Sequence, residues 1–488
     1  MAFQKQVNIM PNEIFNIPKS DFSEWYNNVI KTADLIDQRY NIKGFIIYRP
    51  WAMRMMKQIY AMWEAELEAR GHEPCLFPVV IPKENFEKEK EHVKEFSPEV
   101  FWVTKGGSSE IEPIALRPTS ETAFYQAYSI WIRSHMDLPL KLYQSCPVYR
   151  CETKATKPFI RGREFLWIEA HDAFATEAEA LKQVVEDMNT TRSIYSHLGI
   201  PFIFFKRPKW DKFAGAVDTY AADTIMPDGK ILQLPSTHYL GQNFSKPFNI
   251  TFENDEGEKK HVYQTCYGPP ISRTVAALIA LHGDDRGLVL PFDMAPIQVI
   301  IVPIIFDKFK NEILKTCNKI KRSLKKYRVE IDESNKRPGE KFYYWEMKGI
   351  PLRIEIGPKE LEKKQVVISN RLDGKREIIK QSDLAKKIPN ISESMTKALR
   401  KKADDWFSSM IFEATSEKDV KKILESKGGL ARFAFCSCET GDKCAEKLKE
   451  ASGIEIRGTV LDEKETPKGK CIICGKPSSC IAYAGKAY

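Results

Sequence analysis

Val148-Tyr149-Arg150-Cys151-Glu152 and Phe165-Leu166-Trp167-Ile168, joined by the basic polar stretch Thr153 to Arg163, read as strand, loop, strand. Residues two apart on a strand project from the same face, so Arg150 and Glu152 address one ligand together. An arginine fork matches phosphate oxygens, and a carboxylate accepts from an exocyclic amino group such as that of adenine. Arg-x-Glu alone is common and is usually a surface ion pair; the loop arginines Arg161 and Arg163 weaken that reading and leave it open. Downstream, Tyr267-Gly-Pro-Pro-Ile-Ser-Arg273 turns into the apolar run Thr274 to Leu281. That brings an arginine to a helix N-terminus, an arrangement suited to anions.

Working outward, Ala52, Met56, Ile59, Trp63 and Leu67 recur at the spacing of one helical face over Pro50 to Arg70, with Gly71 as C-terminal cap. The prolines of Glu73 to Pro82 cannot donate to a sheet ladder and predict an edge or interface strand. Strands at Leu140 to Tyr143 and Glu164 to Glu169 and a helix over Glu177 to Leu198 show no regular βαβ period. Residues 1–290 therefore read as an α+β domain on a largely antiparallel sheet. From Ala295 strands alternate with helices: strand Ile297 to Ile305, helix Phe309 to Lys326, and strands Val329 to Ile331, Leu352 to Ile356 and Gln365 to Ile368. This predicts a small α/β domain over 295–400. A charged helix from Ser392 to Thr415 leads to a third unit at 405–488.

The chain of 488 residues is 43% hydrophobic and 11% aromatic, enough for large cores and roughly two to four domains. Met1 to Ile17 lacks the apolar run of a secretory leader, and Ile297 to Phe306 is too short for a membrane span, so a cytoplasmic protein with no membrane partner is expected. A charge of +9 is modest at this length, but Lys and Arg gather after residue 305. Eleven cysteines without a leader argue for reduced thiols, and six of them crowd into the tail. Cys471-Ile-Ile-Cys474-Gly is one half of a zinc ribbon, and Cys436-x7-Cys444 or Cys438-x5-Cys444 supplies the other. Cys436 follows Phe435 at the end of an apparent strand, which favours it; Cys438 is the alternative.

In order along the chain, the long helix with its strand, Arg150-x-Glu152 with Arg161 and Phe165, and the glycine turn with Arg273 resemble the three signature motifs of class II aminoacyl-tRNA synthetases. Leu116-Arg-Pro-Thr-Ser-Glu-Thr122, Arg163-Glu-Phe165, His238-Tyr-Leu-Gly-Gln-Asn-Phe-Ser245 and His282-Gly-Asp284 are similar to the prolyl-tRNA synthetase family, in the branch with a C-terminal extension that archaea and eukaryotes share. The paired prolines 269 and 270 depart from the turn expected there.

The resemblance implies a proline–tRNA ligase using ATP and Mg2+, with a class II catalytic domain, an α/β anticodon-binding domain and a small zinc-ribbon-like C-terminal domain. It implies that Arg150 and Arg273 are catalytic, Arg150 holding the α-phosphate beside the substrate carboxylate and Arg273 and Arg161 holding the outer phosphates. Glu152 accepts from adenine, Phe165 stacks on it, and Gln233 adds a contact. Proline is a small apolar ring with a secondary ammonium. Thr119 and Glu121 are its implied acceptors, Trp167, His171, Phe213 and His238 its walls, and Ser236 lies near the opening. Ordinary core packing is the competing account of Trp167, His171 and Phe213. A pocket this small also admits cysteine.

In the second domain the resemblance gives Arg353 and Glu346 the adjacent guanines of a proline anticodon, against the plainer reading of a surface salt bridge. It also implies proline tRNA and a second copy of the chain as partners, and a structural Zn2+. The terminal Tyr488 is expected near the active-site side. About ninety residues separate His171 from Tyr263, too few for an inserted hydrolytic domain beside the strands they must contain. Two rivals remain: a threonine enzyme, disfavoured by Thr119, Glu121 and the remote cysteines, and a tRNA-binding paralogue without catalysis.

Overall fold

The computed structural model describes residues 17–86, 88, 100–462 and 465–488. The leader reading rests almost wholly on residues 1–16, which lie outside them. Helix α1 spans Pro50–Glu68, with the proline at its first turn, where no N–H bond is lost. Its predicted face is the buried one: Ala52, Met56, Ile59, Trp63 and Leu67 are all fully covered. Gly71 then turns the chain at φ +84°.

The strand that follows, β1 (Glu73–Pro74), occupies the edge of an eleven-stranded sheet and pairs in parallel with β2 (Leu140–Tyr149). Antiparallel pairing then runs through β3 (Glu164–Phe174) to β7 (Tyr263–Gly268), β6 (Ile231–Gly241), β5 (Asp218–Ile225) and β4 (Ile203–Lys206). Three helices position the site: α2 (Glu121–Trp131), α3 (Glu177–Leu198) and α4 (Ile271–His282). The α3 boundaries coincide with the sequence reading because Thr176 and Glu179 form a reciprocal cap and Gly199 ends the helix at φ +64°. Between His171 and Tyr263 the described residues form α3, strands of this sheet and the short hairpin Thr251–Glu253 with Lys259–His261.

A second core lies under a five-stranded sheet, in the order Val329–Ile331, Val299–Pro303, Leu352–Ile356, Gln365–Asn370 and Arg376–Lys380. Its first three strands are parallel and the remainder antiparallel. The strand expected at Ile297 to Ile305 is confined to Val299–Pro303, and the helix at Phe309 to Lys326 to Lys310–Ser323. Helix Pro338–Met347 and strand Arg376–Lys380 were not anticipated. The helix placed at Ser392 to Thr415 is α5, Leu384–Ser409, which takes Pro389 into its early turns. Residues 411–413 are extended.

Those residues begin the tail. Strand β8 (Ile411–Glu413) runs parallel to β9 (Leu430–Phe435), which pairs with β11 (Cys480–Gly485), which in turn pairs with β10 (Glu455–Val460). The tail has its own core, yet β10 also pairs with β4 through Thr459↔Lys206 and Val460↔Phe205. Its strands thus complete the eleven-stranded sheet. Among the described residues no helix is long and apolar enough to cross a membrane.

Candidate active site

Over the middle of the large sheet lies a cavity of about 400 Å³. Strand periodicity supplies one wall: Phe165, Trp167, Glu169 and His171 alternate along β3 and all line it. Opposite, Gln233, Ser236 and His238 of β6 face the same space. Gln233 and Ser236 are three apart, which strict alternation forbids. The pairing of β5 with β6 slips between Ala221 and Asp223, and this bulge returns Gln233 to the cavity face.

At one end Thr119 and Glu121 meet at the start of α2. The Thr119 hydroxyl lies 2.5 Å from Glu121 Oε2 and 2.8 Å from Glu169 Oε1. Glu169, absent from the sequence reading, organises this corner. It accepts from Ser120 N at 3.0 Å, Ser120 Oγ at 2.6 Å and Gln144 Nε2 at 3.2 Å. Its signal was available, because it sits between Trp167 and His171 in their own phase. Phe213 packs with its ring centre 4.6 Å from that of His238 and tilted to it, and the His238 ring nitrogens meet Thr219 Oγ1 at 2.9 Å and Ser236 Oγ at 3.0 Å. Burial pushes His238 down to about 4, so it is a neutral wall at physiological pH. His171 packs 4.3 Å from Phe124, and both its buried ring nitrogens lack a protein partner. A core histidine is normally satisfied.

The other end is cationic. Arg150, Arg161, Arg273 and Lys154 converge there. The Arg150 guanidinium lies 5.4 Å from the Phe165 ring and 5.1 Å from the Trp167 ring, and its Nε donates to Pro118 O at 3.2 Å. Arg273, in the first turn of α4, donates through Nε to Ile160 O and through Nη1 to Gln233 O, each at 3.1 Å. Burial first, then the cations Arg161, Arg150 and Arg457, push its pKa down to about 10. Such crowding favours an anion between them.

The paired prolines fit this turn. Neither has an N–H to leave orphaned, while Pro270 O accepts from Thr274 N at 3.0 Å and Pro269 O from Ile168 N at 3.0 Å. A Cβ at Gly268 would lie 2.6 Å from the Trp167 ring, so any larger residue must displace the indole.

Glu152 is placed differently from expectation. It is outside the cavity lining, and its oxygens accept from Arg161 Nη1 at 2.6 Å and Lys154 N at 3.0 Å. Arg161 also donates to the Tyr488 carbonyl. Arg207 was missed as well. It and Arg457 of β10 both grip Asp223 on β5, at 2.7 to 3.2 Å, and Arg207 Nη2 donates to Gln233 Oε1 at 3.2 Å. The two guanidiniums overcome the burial penalty and hold Asp223 down to about 2. With its oxygen engaged, the Gln233 amide is left as a donor.

Glu346 and Arg353 line one small cavity of about 160 Å³ in the second domain. They do not pair with each other. Glu346 accepts from Arg286 at 2.7 Å, whereas Arg353 donates to Glu355 at 3.0 Å and stacks 4.1 Å from the Phe342 ring.

In the tail, one donor sulfur each from Cys436, Cys444, Cys471 and Cys474 lie within 4.8 Å of one another. Sulfurs on a tetrahedral zinc, at about 2.3 Å from the metal, are roughly 3.8 Å apart, so the four fit. Cys438 is not in this group; its sulfur lies 3.6 Å from that of Cys480.

Residues 101–282 match the family described as tRNA synthetase class II core domain (G, H, P, S and T), 298–391 the anticodon binding domain, and 417–488 the prolyl-tRNA synthetase C-terminal family. The chain is 52% identical over 487 residues to a proline–tRNA ligase of Thermofilum pendens, covering 98% of this chain and 100% of that one. A proline–tRNA ligase of Methanopyrus kandleri is 42% identical, with 96% of each chain covered. The solved structure of Giardia lamblia prolyl-tRNA synthetase in complex with prolyl-adenylate superposes with a TM-score of 0.92 at 38% identity, covering 96% of this chain and 99% of that one.

Proposed function

The chain belongs to the prolyl-tRNA synthetase family, and from this premise we propose that it activates proline with ATP and transfers it to proline tRNA within the cavity described. In the first step the proline carboxylate attacks the α-phosphorus of ATP and pyrophosphate leaves. In the second the 3′-terminal ribose hydroxyl of the tRNA attacks the adenylate carbonyl and AMP leaves. The first attacking carboxylate is already ionised, so the protein supplies position and charge rather than a base.

The observation that supports this reading is that Arg150 lies beside both Phe165 and Trp167, 5.4 and 5.1 Å from their rings. Phe165 is the proposed adenine platform and Trp167 a proposed proline wall, so the guanidinium lies where α-phosphate and carboxylate must meet. Thr119 and Glu121 accept from the proline ammonium, Trp167, His171, Phe213 and His238 enclose the ring, and Ser236 borders the opening. Arg161 and Arg273 hold the outer phosphates of ATP, which arrives as its Mg2+ complex. Once phosphates draw Arg161 away from Glu152, that carboxylate is released to accept from the adenine amino group, with Gln233 donating alongside. Glu346 and Arg353 read anticodon guanines.

ATP–pyrophosphate exchange across the amino acids tests the assignment. Proline-selective exchange is expected; threonine-selective exchange, or none, refutes it. A cysteine arm measures how far the pocket tolerates a small thiol. Zn2+ at Cys436, Cys444, Cys471 and Cys474 would fix the tail fold, and about one equivalent per chain is expected. The resemblance of α1 and its strand to the family's dimerisation motif supports a homodimer, and a translation role supports the cytoplasm. The run between His171 and Tyr263 supports an enzyme without alanine hydrolysis in cis; release of free alanine from alanyl-tRNA of the proline type would overturn that.

A further inference from the structure

Beside the four-cysteine cluster sits a thiol pair that neither aminoacylation nor metal binding uses. The Cys438 and Cys480 sulfurs lie 3.6 Å apart, and both residues are half-buried. Three restraints hold them together. Cys480 opens β11 directly opposite Phe435 of β9. The adjoining Ser479 donates to Cys436 O through N at 3.2 Å and Oγ at 2.6 Å. On the far side, Lys209 N donates to Cys438 O at 3.0 Å. These backbone contacts hold the two thiols side by side at 3.6 Å, close to the reach of a bond of about 2.05 Å.

We propose that Cys438 and Cys480 form a reversible disulfide when the protein meets a peroxide, while the neighbouring four cysteines keep their metal. One thiolate attacks an oxygen of hydrogen peroxide and breaks the O–O bond, giving a sulfenic acid and hydroxide; the second thiolate attacks that sulfur and displaces a second hydroxide, and the two protons the thiols released on ionising convert both hydroxides to water. Two thiols are oxidised and one peroxide is reduced. Excess dithiol reverses the bond by exchange.

The bond would close a loop that contains Cys444, Cys471 and Cys474. It would tie both halves of the metal cluster together even when the metal is lost. Loop closure of this kind lowers the entropy of the opened state, so zinc release to a chelator should slow several-fold on oxidation and recover with dithiothreitol.

The test uses the full-length zinc-loaded protein treated with hydrogen peroxide, then alkylated, digested without reduction and analysed by mass spectrometry alongside zinc content. A peptide pair linked through Cys438 and Cys480 with zinc retained is expected. Cys480→Ser, and separately Cys438→Ser, should abolish the link while exchange activity and zinc stay at wild-type level. A link among Cys436, Cys444, Cys471 and Cys474 with loss of zinc, or no link at all, overturns the proposal.

Discussion

Replacing Glu169 by Gln should raise the KM for proline and leave that for ATP alone. The wild-type carboxylate draws Ser120 N and the Thr119 hydroxyl to Oε1 at 3.0 and 2.8 Å, and Ser120 Oγ and Gln144 Nε2 to Oε2 at 2.6 and 3.2 Å. Glutamine keeps the volume but turns one oxygen into a donor. Facing the fixed N–H of Ser120 that donor has nowhere to go, so it must take the Oε2 position, where the Ser120 hydroxyl can reorient but the Gln144 amide, whose oxygen accepts from Phe77 N at 3.0 Å, cannot turn without breaking that bond. What is lost is the charge assistance to Ser120 N and Thr119 plus the reorientation, together about 1.5–3 kcal/mol. Because Thr119 is half of the proposed ammonium acceptor, the loss should appear in kcat/KM for proline as roughly 10- to 150-fold. Pyrophosphate exchange measures it, with a thermal melt to confirm the fold. A wild-type proline KM in a folded variant, or equal rises in the proline and ATP constants, would refute the role given to this corner.

Gly268→Ala places a methyl 2.6 Å from the Trp167 indole; the overpacking should cost about 1–3 kcal/mol and weaken proline-dependent exchange, read from melting and KM together. His282 donates through Nε2 to Leu198 O at 2.8 Å and is pushed by burial down to about 4. The folded chain thus refuses a proton that the unfolded chain accepts below its ordinary value near 6.5, so this contribution, roughly 3 kcal/mol, is complete above pH 6.5 and lost as pH falls toward 4. Asp187, raised by burial to about 7, titrates in the opposite sense, so the measurement is the difference in melting temperature between wild type and His282→Gln from neutral to acidic pH, which should shrink. A constant difference would contradict it. Arg353→Ala should weaken tRNA charging by at least about tenfold while proline-dependent exchange stays intact, and equal loss of both would remove Arg353 from anticodon reading.

Local physics made much of this readable. The α1 face followed from helical spacing, and α3 was bounded to the residue by Thr176, Glu179 and Gly199. Helix Pro338–Met347 carried a start signal too: Pro338 in its first turn and Glu340 accepting from Arg337 N at 2.9 Å. Its cluster of half-buried aromatics shows no clear apolar stripe, which hid it. In the site, the family resemblance supplied Phe165, Trp167 and His171, and their alternation along β3 carried the unread signal for Glu169. The joint placement of Gln233 and Ser236 depends on a bulge, which cross-strand pairing creates and single-strand spacing cannot express. The choice between Cys436 and Cys438 likewise depends on the register of β9 against β11, a long-range fact.

That the tail should extend the catalytic sheet was the least legible feature, and it bears directly on the site. Strand β10 pairs with β4 and brings Arg457 to Asp223, which Arg207 holds from the other side. Arg207 in turn fixes the Gln233 amide, and the Gln233 backbone carbonyl receives Arg273. The chain's last residue lines the cavity and receives Arg161. Two of the proposed ATP-phosphate ligands are therefore positioned by contacts that reach the tail, whereas the Thr119, Glu121 and Glu169 corner is built wholly from the catalytic domain. The two halves of the cavity have different structural dependencies: loosening the tail should disturb the ATP end first and leave the amino-acid end in place.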